Sequence, residues 1–274
     1  MPFVETSPGV SIYYEDAGQG SPLVLLHGWG GSGVLWRFQR ELADTCRLVI
    51  PDLRGHGRSS TPREGITLEE LAGDLVIMCE RLNLTEAVLV GWSLGSQVAI
   101  KAFPELRARL AGVVLLGATA RFTAAESYPH GLSASDLRGM GLRLKRDYER
   151  TMGDFFRSMF AHGELTPDEE GRIAREVIMV GRLPEPAVAQ AGLAILETTD
   201  LREELDGIDL PVLLIHGAAD AICPLGAGRY LEERFPCARL VEFAGVGHAP
   251  CLSRPDQCNA LIREFLRKDV HDRH

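Results

Sequence analysis

The sequence contains 274 residues, 45% of them hydrophobic, and carries a net charge of −9 at pH 7. This length suits one large domain or one domain with an insertion, and the negative charge argues against a nucleic-acid partner. No apolar run reaches the roughly 18 residues of a membrane span, and the first residues lack the pattern of a signal peptide. Because the six cysteines are scattered without a C-x-x-C pair, we expect reduced thiols in a cytoplasmic protein.

Short apolar runs punctuated by Gly and Pro alternate with helical patterns along most of the chain. Strands are predicted at residues 10–15, 22–26, 47–50, 88–90, 110–117, 211–217 and 238–243. Helices are predicted at residues 35–44, 68–82, 97–103, 226–235 and 255–268. Continuous apolar strands that alternate with helices indicate an α/β fold with a mostly parallel sheet covered on both faces. Active groups in such sheets lie at the carboxyl ends of the strands.

One long stretch interrupts this alternation because it contains no convincing strand. Helical patterns occupy residues 133–150 and 183–197, and residues 166–169 form a capping box with Pro at the first helical position. These helices are expected to cover the strand ends, although a helical excursion remote from them is the alternative. The predicted domains are a core of residues 1–120 and 200–274 and a helical cap of residues 121–199.

The pentapeptide Gly91-Trp92-Ser93-Leu94-Gly95 lies between a predicted strand and a predicted helix. A G-x-S-x-G in this position is typical of a nucleophile elbow, in which a strained turn exposes the serine hydroxyl. The pentapeptide alone is weak evidence in a chain rich in glycine, where a solvated serine in a turn is the alternative. Ser93 is therefore a candidate nucleophile that needs a base and an acid elsewhere.

The candidate base is His248, and the candidate acid is Asp220. His248 lies in a loop of small residues after the last predicted strand, and Asp220 directly follows the preceding one. Their chain order after Ser93 is the order serine, acid, histidine of a triad on this type of sheet. Asp220 could instead form only an Asx-turn. His216 and Asp52 also end strands, and we interpret both as structural.

Two amides are candidates for stabilising an oxyanion. One belongs to Leu94, the residue after the nucleophile, and the other to Trp29, in the glycine-rich loop of residues 27–33. A phosphate-binding loop is excluded there because no Gly-Lys-Ser/Thr follows. We expect no metal and no cofactor.

Motifs at five places resemble those of the α/β-hydrolases: His27-Gly28, Asp52-x-Arg54-Gly55-x-Gly57-x-Ser59, Gly91-x-Ser93-x-Gly95, Asp220 and Gly247-His248-x-Pro250. The resemblance implies an α/β-hydrolase fold with an inserted helical cap and serine hydrolase chemistry. A haloalkane dehalogenase is disfavoured because the nucleophile position holds Ser rather than Asp.

Further details resemble the pimeloyl-[acyl-carrier protein] methyl ester esterases, the carboxylesterases of biotin synthesis. They are Trp29, Trp36 and Trp92, together with residues 192–202. The resemblance implies that Trp29 and Trp92 line the acyl site. It also implies that an aromatic stretch of the cap contacts the acyl chain, here through Phe155, Phe156 and Met159.

The same resemblance implies that basic cap residues meet an acidic acyl carrier protein. Residues 138–157 carry six positive and three negative side chains. The docking candidates are Arg143, Arg146, Arg150 and Arg157. An ordinary solvated helix face is the alternative, and Asp154 places an acid among these arginines.

The expected reaction is hydrolysis of a pimeloyl-carrier methyl ester, and simple small-molecule esters are also expected substrates. Two other functions stay open because this fold supports many activities. One is a general short-chain carboxylesterase, thioesterase or lactonase. The other is a non-catalytic ligand-binding protein with the same fold.

Overall fold

One eight-stranded sheet forms the centre of the computed structural model, which describes residues 2–62 and 65–270. The strands are β1 Phe3–Ser7, β2 Val10–Ala17, β3 Pro22–Leu26, β4 Arg47–Pro51, β5 Ala87–Trp92, β6 Leu110–Leu116, β7 Val212–Gly217 and β8 Ala238–Phe243. Their spatial order is β1-β2-β4-β3-β5-β6-β7-β8. The strands from β4 to β8 are parallel, whereas β2 runs antiparallel to both of its neighbours. The predicted mostly parallel sheet is confirmed.

The edge of the sheet differs from the prediction. The sequence predicts residues 10–15 as the first strand, but β1 lies outside β2 and pairs with it, Val4 opposite Ile12. Val4 and Thr6 are buried whereas Phe3 and Glu5 are exposed. This alternation is that of a short half-buried strand, too brief at the chain start to stand out from the sequence.

The α-helices of the described chain are α1 Leu68–Arg81, α2 Leu94–Leu106, α3 Ala134–Arg146, α4 Tyr148–Ser158, α5 Pro167–Ile173, α6 Pro186–Thr198, α7 Leu225–Arg234, α8 Pro250–Ser253 and α9 Pro255–Phe265. The predicted helix at residues 35–44 is a 3-10 segment, Gly33–Asp44, with a kink at Trp36. A π-helical turn, Leu266–Val270, continues α9. None of the helices among these residues is long and apolar enough to cross a membrane.

The central strands are buried on both faces. All residues of β5 and β7 are buried, as are four of the five residues of β3. This burial explains why their sequences read as continuous apolar runs rather than as alternating patterns. Burial of apolar surface stabilises a fold by roughly 25 cal/mol per Å², so these strands contribute to the stability of the core.

The helices α3 to α6 are inserted between β6 and β7, and we call residues 121–199 the insertion. Its two ends meet, because Arg121 pairs with Asp200 in an isolated antiparallel bridge and in a 2.9 Å salt bridge. The predicted capping box at the start of α5 is confirmed, since Thr166 and Glu169 accept from each other's backbone N–H.

One predicted helix of the insertion is divided in two. Asp147 has φ −151°, which ends α3, and its carboxylate accepts from the amide of Arg150 at 3.2 Å to cap α4. An Asp followed by a new helix is a common N-cap. The continuous apolar periodicity of residues 133–150 concealed this break.

Candidate active site

Ser93 lies at the junction of β5 and α2 with φ 56° and ψ −119°. This left-handed conformation is strained for a residue with a side chain, and the surrounding structure must enforce it. Its amide donates to the carbonyl of Leu116 at 3.0 Å, which ties the turn to β6. A Cβ on Gly91 would lie 2.6 Å from the carbonyl oxygen of Gly95. The flanking glycines are therefore required by close backbone approach, as the elbow pattern predicts.

The loop that follows β3 lies against Ser93. A Cβ placed on Gly28 would be 3.1 Å from the Cβ of Ser93 and 3.7 Å from its Oγ. Trp29 is the next residue along this loop. Leu94 is the first residue of α2, so its amide is one of those that a helix leaves without an intrahelical acceptor. Of the two predicted oxyanion residues, Trp29 thus follows Gly28, which lies against Ser93, and Leu94 follows Ser93 itself.

Asp220 uses one carboxylate oxygen for two backbone amides and the other for a histidine. Oδ1 accepts from the amides of Ile222 and Cys223, each at 2.8 Å. Oδ2 accepts from Nδ1 of His248 at 2.7 Å. Asp220 therefore forms the Asx-type turn and also binds His248. The turn fixes the carboxylate that orients the imidazole. Asp220 and His248 are both buried.

His248 is held on several sides while one ring nitrogen stays unengaged. Its amide donates to the carbonyl of Met159 at 2.7 Å, and its carbonyl accepts from Nε1 of Trp92 at 2.8 Å. Gly117, with φ 50°, makes room for the ring, since a Cβ there would be 2.9 Å from Nδ1. Nε2 is buried and has no hydrogen-bond partner among the described residues. A neutral imidazole bound through Nδ1 can accept a proton at Nε2.

His216 contacts the loop that carries Asp220. Its Nε2 donates to the carbonyl of Cys223 at 2.7 Å and lies 3.6 Å from Oδ2 of Asp220. Burial lowers the pKa of His216, so its neutral form is favoured. These contacts fit the predicted structural role of this histidine.

The loop after β4 is held by hydrogen bonds and an ion pair, which fits the structural role predicted for Asp52. That carboxylate accepts from the amides of Gly33 and Arg58 at 2.7 and 2.8 Å, and burial raises its pKa. The guanidinium of Arg54 forms a buried pair with Asp74, with Nε–Oδ2 and Nη2–Oδ1 distances of 2.5 and 2.6 Å. The loop is therefore braced against the 3-10 segment and α1.

Trp29 connects the core loop to the insertion. Its indole Nε1 donates to the carbonyl of Ala189 in α6 at 2.9 Å, and Phe155 of α4 lies edge-on with ring centroids 4.7 Å apart. Phe155 in turn contacts Phe156 at 6.0 Å between centroids. Met159 is buried at the end of the same helix. Of the predicted acyl-contacting residues, Phe155 thus contacts the loop that lies against Ser93, and Phe156 lies beside it.

Trp92 is fully buried beneath the histidine loop. Its ring centroid is 5.9 Å from that of His248 and 6.4 Å from that of Trp36. Its only polar side-chain atom is used on the His248 carbonyl. The observed contact of Trp92 supports the histidine loop. That Trp92 lines the acyl site stays a prediction.

Two cavities adjoin at Phe156, one between the glycine-rich loop and the insertion and the other within the insertion. One, of about 310 Å³, is lined by Gly30, Gly31 and Leu35 on the core side and by Phe156 and Leu183 on the other. The second, of about 620 Å³, shares Phe156 and is mainly apolar. The first cavity offers space for an aliphatic chain next to the candidate oxyanion loop.

The predicted docking arginines lie on the outer surface of α3 and α4. Arg143, Arg146, Arg150 and Arg157 are all exposed. Arg157 pairs with Asp154 on its own helix. In the part of the chain that the structure describes, the other three form no salt bridge, so their charges face solvent.

Sequence reasoning missed Glu164, which contacts the histidine loop from the insertion. It belongs to an acidic stretch, and nothing in its local pattern distinguishes it from solvated neighbours. Within residues 2–62 and 65–270, no cluster of three or more His, Cys, Asp or Glu side chains is arranged to bind a metal ion.

A family model described as alpha/beta hydrolase fold matches residues 21–255. The chain is 39% identical to pimeloyl-[acyl-carrier protein] methyl ester esterase from Nitrosomonas europaea over 251 residues, covering 90% of this chain and 96% of that protein. It is 33% identical to the Nitrosospira multiformis protein of the same name, covering 94% and 99%. An esterase structure from Exiguobacterium antarcticum superposes with a TM-score of 0.90 at 25% identity, covering 97% of this chain and 99% of that one.

Proposed function

Because the chain belongs to the alpha/beta hydrolase family, we propose that it is a serine esterase whose triad is Ser93, His248 and Asp220. The observation that carries this proposal is the 2.7 Å contact between Asp220 and His248, with Nε2 of the same ring left unengaged. A serine hydroxyl needs such a base because it is a poor nucleophile at neutral pH. Ser93, in its strained elbow at the carboxyl end of β5, is the nucleophile that this base activates.

In the proposed acylation step, Oγ of Ser93 attacks the carbonyl carbon of the ester while Nε2 of His248 takes the hydroxyl proton. Asp220 holds the imidazole in the required tautomer and stabilises the imidazolium that forms. The amides of Trp29 and Leu94 stabilise the oxyanion. When the tetrahedral intermediate collapses, His248 returns the proton to the departing alcohol.

In the proposed deacylation step, His248 takes a proton from water, and the resulting nucleophile attacks the acyl-enzyme carbonyl. Collapse of the second tetrahedral intermediate releases the carboxylic acid and returns the proton to Ser93. The chain's own groups supply the base, the orienting carboxylate and the oxyanion donors that acyl transfer requires.

The substrate we propose is the methyl ester of a pimeloyl group on acyl carrier protein, so that the alcohol released is methanol. The names of the relatives from Nitrosomonas europaea and Nitrosospira multiformis support this substrate. The apolar cavity beside residues 30–35 suits a seven-carbon chain, and the exposed arginines of α3 and α4 suit an acidic carrier. The insertion would then act as the cap over the acyl chain in a cytoplasmic enzyme of biotin synthesis.

A general carboxylesterase is the second candidate, favoured by the similarity to the Exiguobacterium antarcticum esterase. Comparing kcat/KM for pimeloyl-carrier methyl ester with that for free methyl pimelate and p-nitrophenyl esters separates the two. We expect a preference of 100-fold or more, about 2.7 kcal/mol, for the carrier-linked ester. Equal values with and without the carrier would contradict the biotin assignment.

The same preparation tests whether the protein is an enzyme at all. A fluorophosphonate probe should label Ser93, and the label should be absent from a Ser93→Ala variant. A wild-type protein that does not label would favour a non-catalytic ligand-binding role.

A further inference from the structure

Glu164 lies in the segment of residues 159–166 that joins α4 to α5, and its side chain points into the protein. Only 7% of the residue is exposed. Its Oε2 accepts from the amide of Ala161 at 2.6 Å and from the amide of Gly247 at 2.8 Å. Hydrogen bonds from backbone amides to a carboxylate are charge-assisted and roughly twice as strong as neutral ones.

Gly247 is the residue before the candidate base, so this carboxylate acts directly on the histidine loop. The next amide along the chain, that of His248, donates to the carbonyl of Met159 at 2.7 Å. Two consecutive amides of the histidine loop are therefore bound by the same segment of the insertion. The carbonyl of Glu164 also accepts from Nη2 of Arg254 at 3.2 Å, just beyond α8.

The close fit of the two segments requires glycine at position 247. A Cβ there would lie 2.5 Å from the carbonyl oxygen of Met159 and 2.9 Å from the nitrogen of Ala161. With a larger residue the two backbones could not approach closely enough for the amide of Gly247 to reach Glu164. The glycine before His248 thus serves the contact with the insertion.

We propose that Glu164 is a positioning residue that fixes the histidine loop so that Nε2 of His248 faces Ser93. This role rests on the esterase function proposed above. Without the carboxylate, the buried amide of Gly247 and the partly buried amide of Ala161 lose their acceptor, and the loop is free to shift. A displacement of about 1 Å of a catalytic group can lower the rate roughly 100-fold. Because Glu164 belongs to the insertion, the geometry of the proposed triad then depends on the position of the insertion relative to the core.

The test compares Glu164→Ala with Glu164→Gln, because glutamine keeps an oxygen that can accept from both amides. With p-nitrophenyl acetate at a temperature well below each variant's Tm, we expect kcat of Glu164→Ala to fall about 30- to 100-fold. We expect KM to change less than about threefold, since Glu164 orients the base. Glu164→Gln should keep kcat within about threefold of wild type. Asp168→Ala, an exposed carboxylate in the first turn of α5, is the matched control.

The fluorophosphonate labelling rate provides a second readout, because that reaction also needs His248. It should fall with kcat in Glu164→Ala while the final extent of labelling stays complete. A Glu164→Ala variant that only loses Tm and keeps wild-type kcat would overturn this inference alone, as would a folded Glu164→Gln variant as slow as Glu164→Ala. A wild-type protein that neither labels nor turns over ester would overturn the proposed function and this role with it.

Discussion

The indole Nε1 of Trp92 donates a 2.8 Å hydrogen bond to the main-chain carbonyl of His248. Trp92 is also covalently joined to Ser93, so one residue connects the strained elbow to the loop of the candidate base. The two partners are 156 positions apart in the sequence. The tryptophan beside the nucleophile thus has a supporting contact that the pentapeptide motif does not reveal.

Replacing Trp92 with Phe should lower both stability and activity, because it removes this donor and leaves a buried carbonyl unpaired. We expect a loss of about 1–3 kcal/mol in the free energy of unfolding. We also expect kcat to fall about tenfold as the histidine loop loosens. Urea denaturation and steady-state kinetics on a simple ester measure the two effects.

Trp36→Phe is the matched control for this variant. Trp36 is equally buried, but its Nε1 has no hydrogen-bond partner among the described residues. Removing that unpaired donor should leave kcat near the wild-type value. If both substitutions reduce kcat equally, the Trp92 contact does not support the base.

Ser93→Ala and His248→Ala should each lower kcat/KM on any ester by at least about 1,000-fold, since each removes a member of one catalytic unit. Because members of such a unit act together, the double variant should lose little more than either single variant. Circular dichroism should show that the fold is retained. His162→Ala, which removes an exposed histidine of the insertion, should retain activity. Substantial residual turnover in either single variant would contradict the assignment.

Reversing Arg143, Arg146 and Arg150 to Glu should lower kcat/KM for the carrier-linked ester about tenfold or more. The reason is that exposed charges mainly govern encounter with a charged partner. Small uncharged esters should be hydrolysed at nearly the wild-type rate. The loss on the carrier-linked ester should shrink as ionic strength rises, because salt screens exposed charges.

Three exposed arginines outside the insertion provide a control with the same change in net charge: Arg81, Arg239 and Arg267. Their reversal to Glu should leave the carrier-linked reaction almost unchanged. An equal loss from both triple variants would point to net charge rather than to a docking face on α3 and α4.

The pH dependence of stability should reflect two buried histidines at or near the candidate oxyanion loop. Burial lowers the pKa of His27 to about 4 and that of His56 to about 3. Between these values and the ordinary pKa of about 6.5, the unfolded chain binds protons that the folded protein does not. Stability should therefore fall as the pH drops from 7 to 5, by about 2 kcal/mol per histidine.

Urea denaturation at pH 7 and pH 5 measures this difference for the wild type and for His27→Gln. Glutamine can keep both hydrogen bonds of His27, one from the amide of Leu53 and one to the carbonyl of Gly28. The pH effect should shrink by about half in this variant and stay unchanged in His162→Gln, whose site is exposed. An unaltered pH effect in His27→Gln would show that its imidazole titrates normally when folded.

The sequence by itself determined the central strands, the elbow at Ser93 and the chain order of Asp220 and His248. These features are local, because burial on both faces makes a strand continuously apolar and a tight turn demands glycine at fixed spacing. The strand ends then place the three side chains at one edge of the sheet. The break at Asp147 and the short edge strand β1 were not predicted, because neither changes the apolar periodicity enough to be seen in the sequence.

Only the tertiary structure decided how the site is held together. The Glu164 carboxylate reaches Gly247 across 83 positions, and no local pattern distinguishes this acid from its solvated neighbours. The indole of Trp29 reaches Ala189 across 160 positions and joins the candidate oxyanion loop to the insertion. Such contacts depend on where separate elements meet after folding, and that meeting is set by packing of the whole core rather than by the residues on either side.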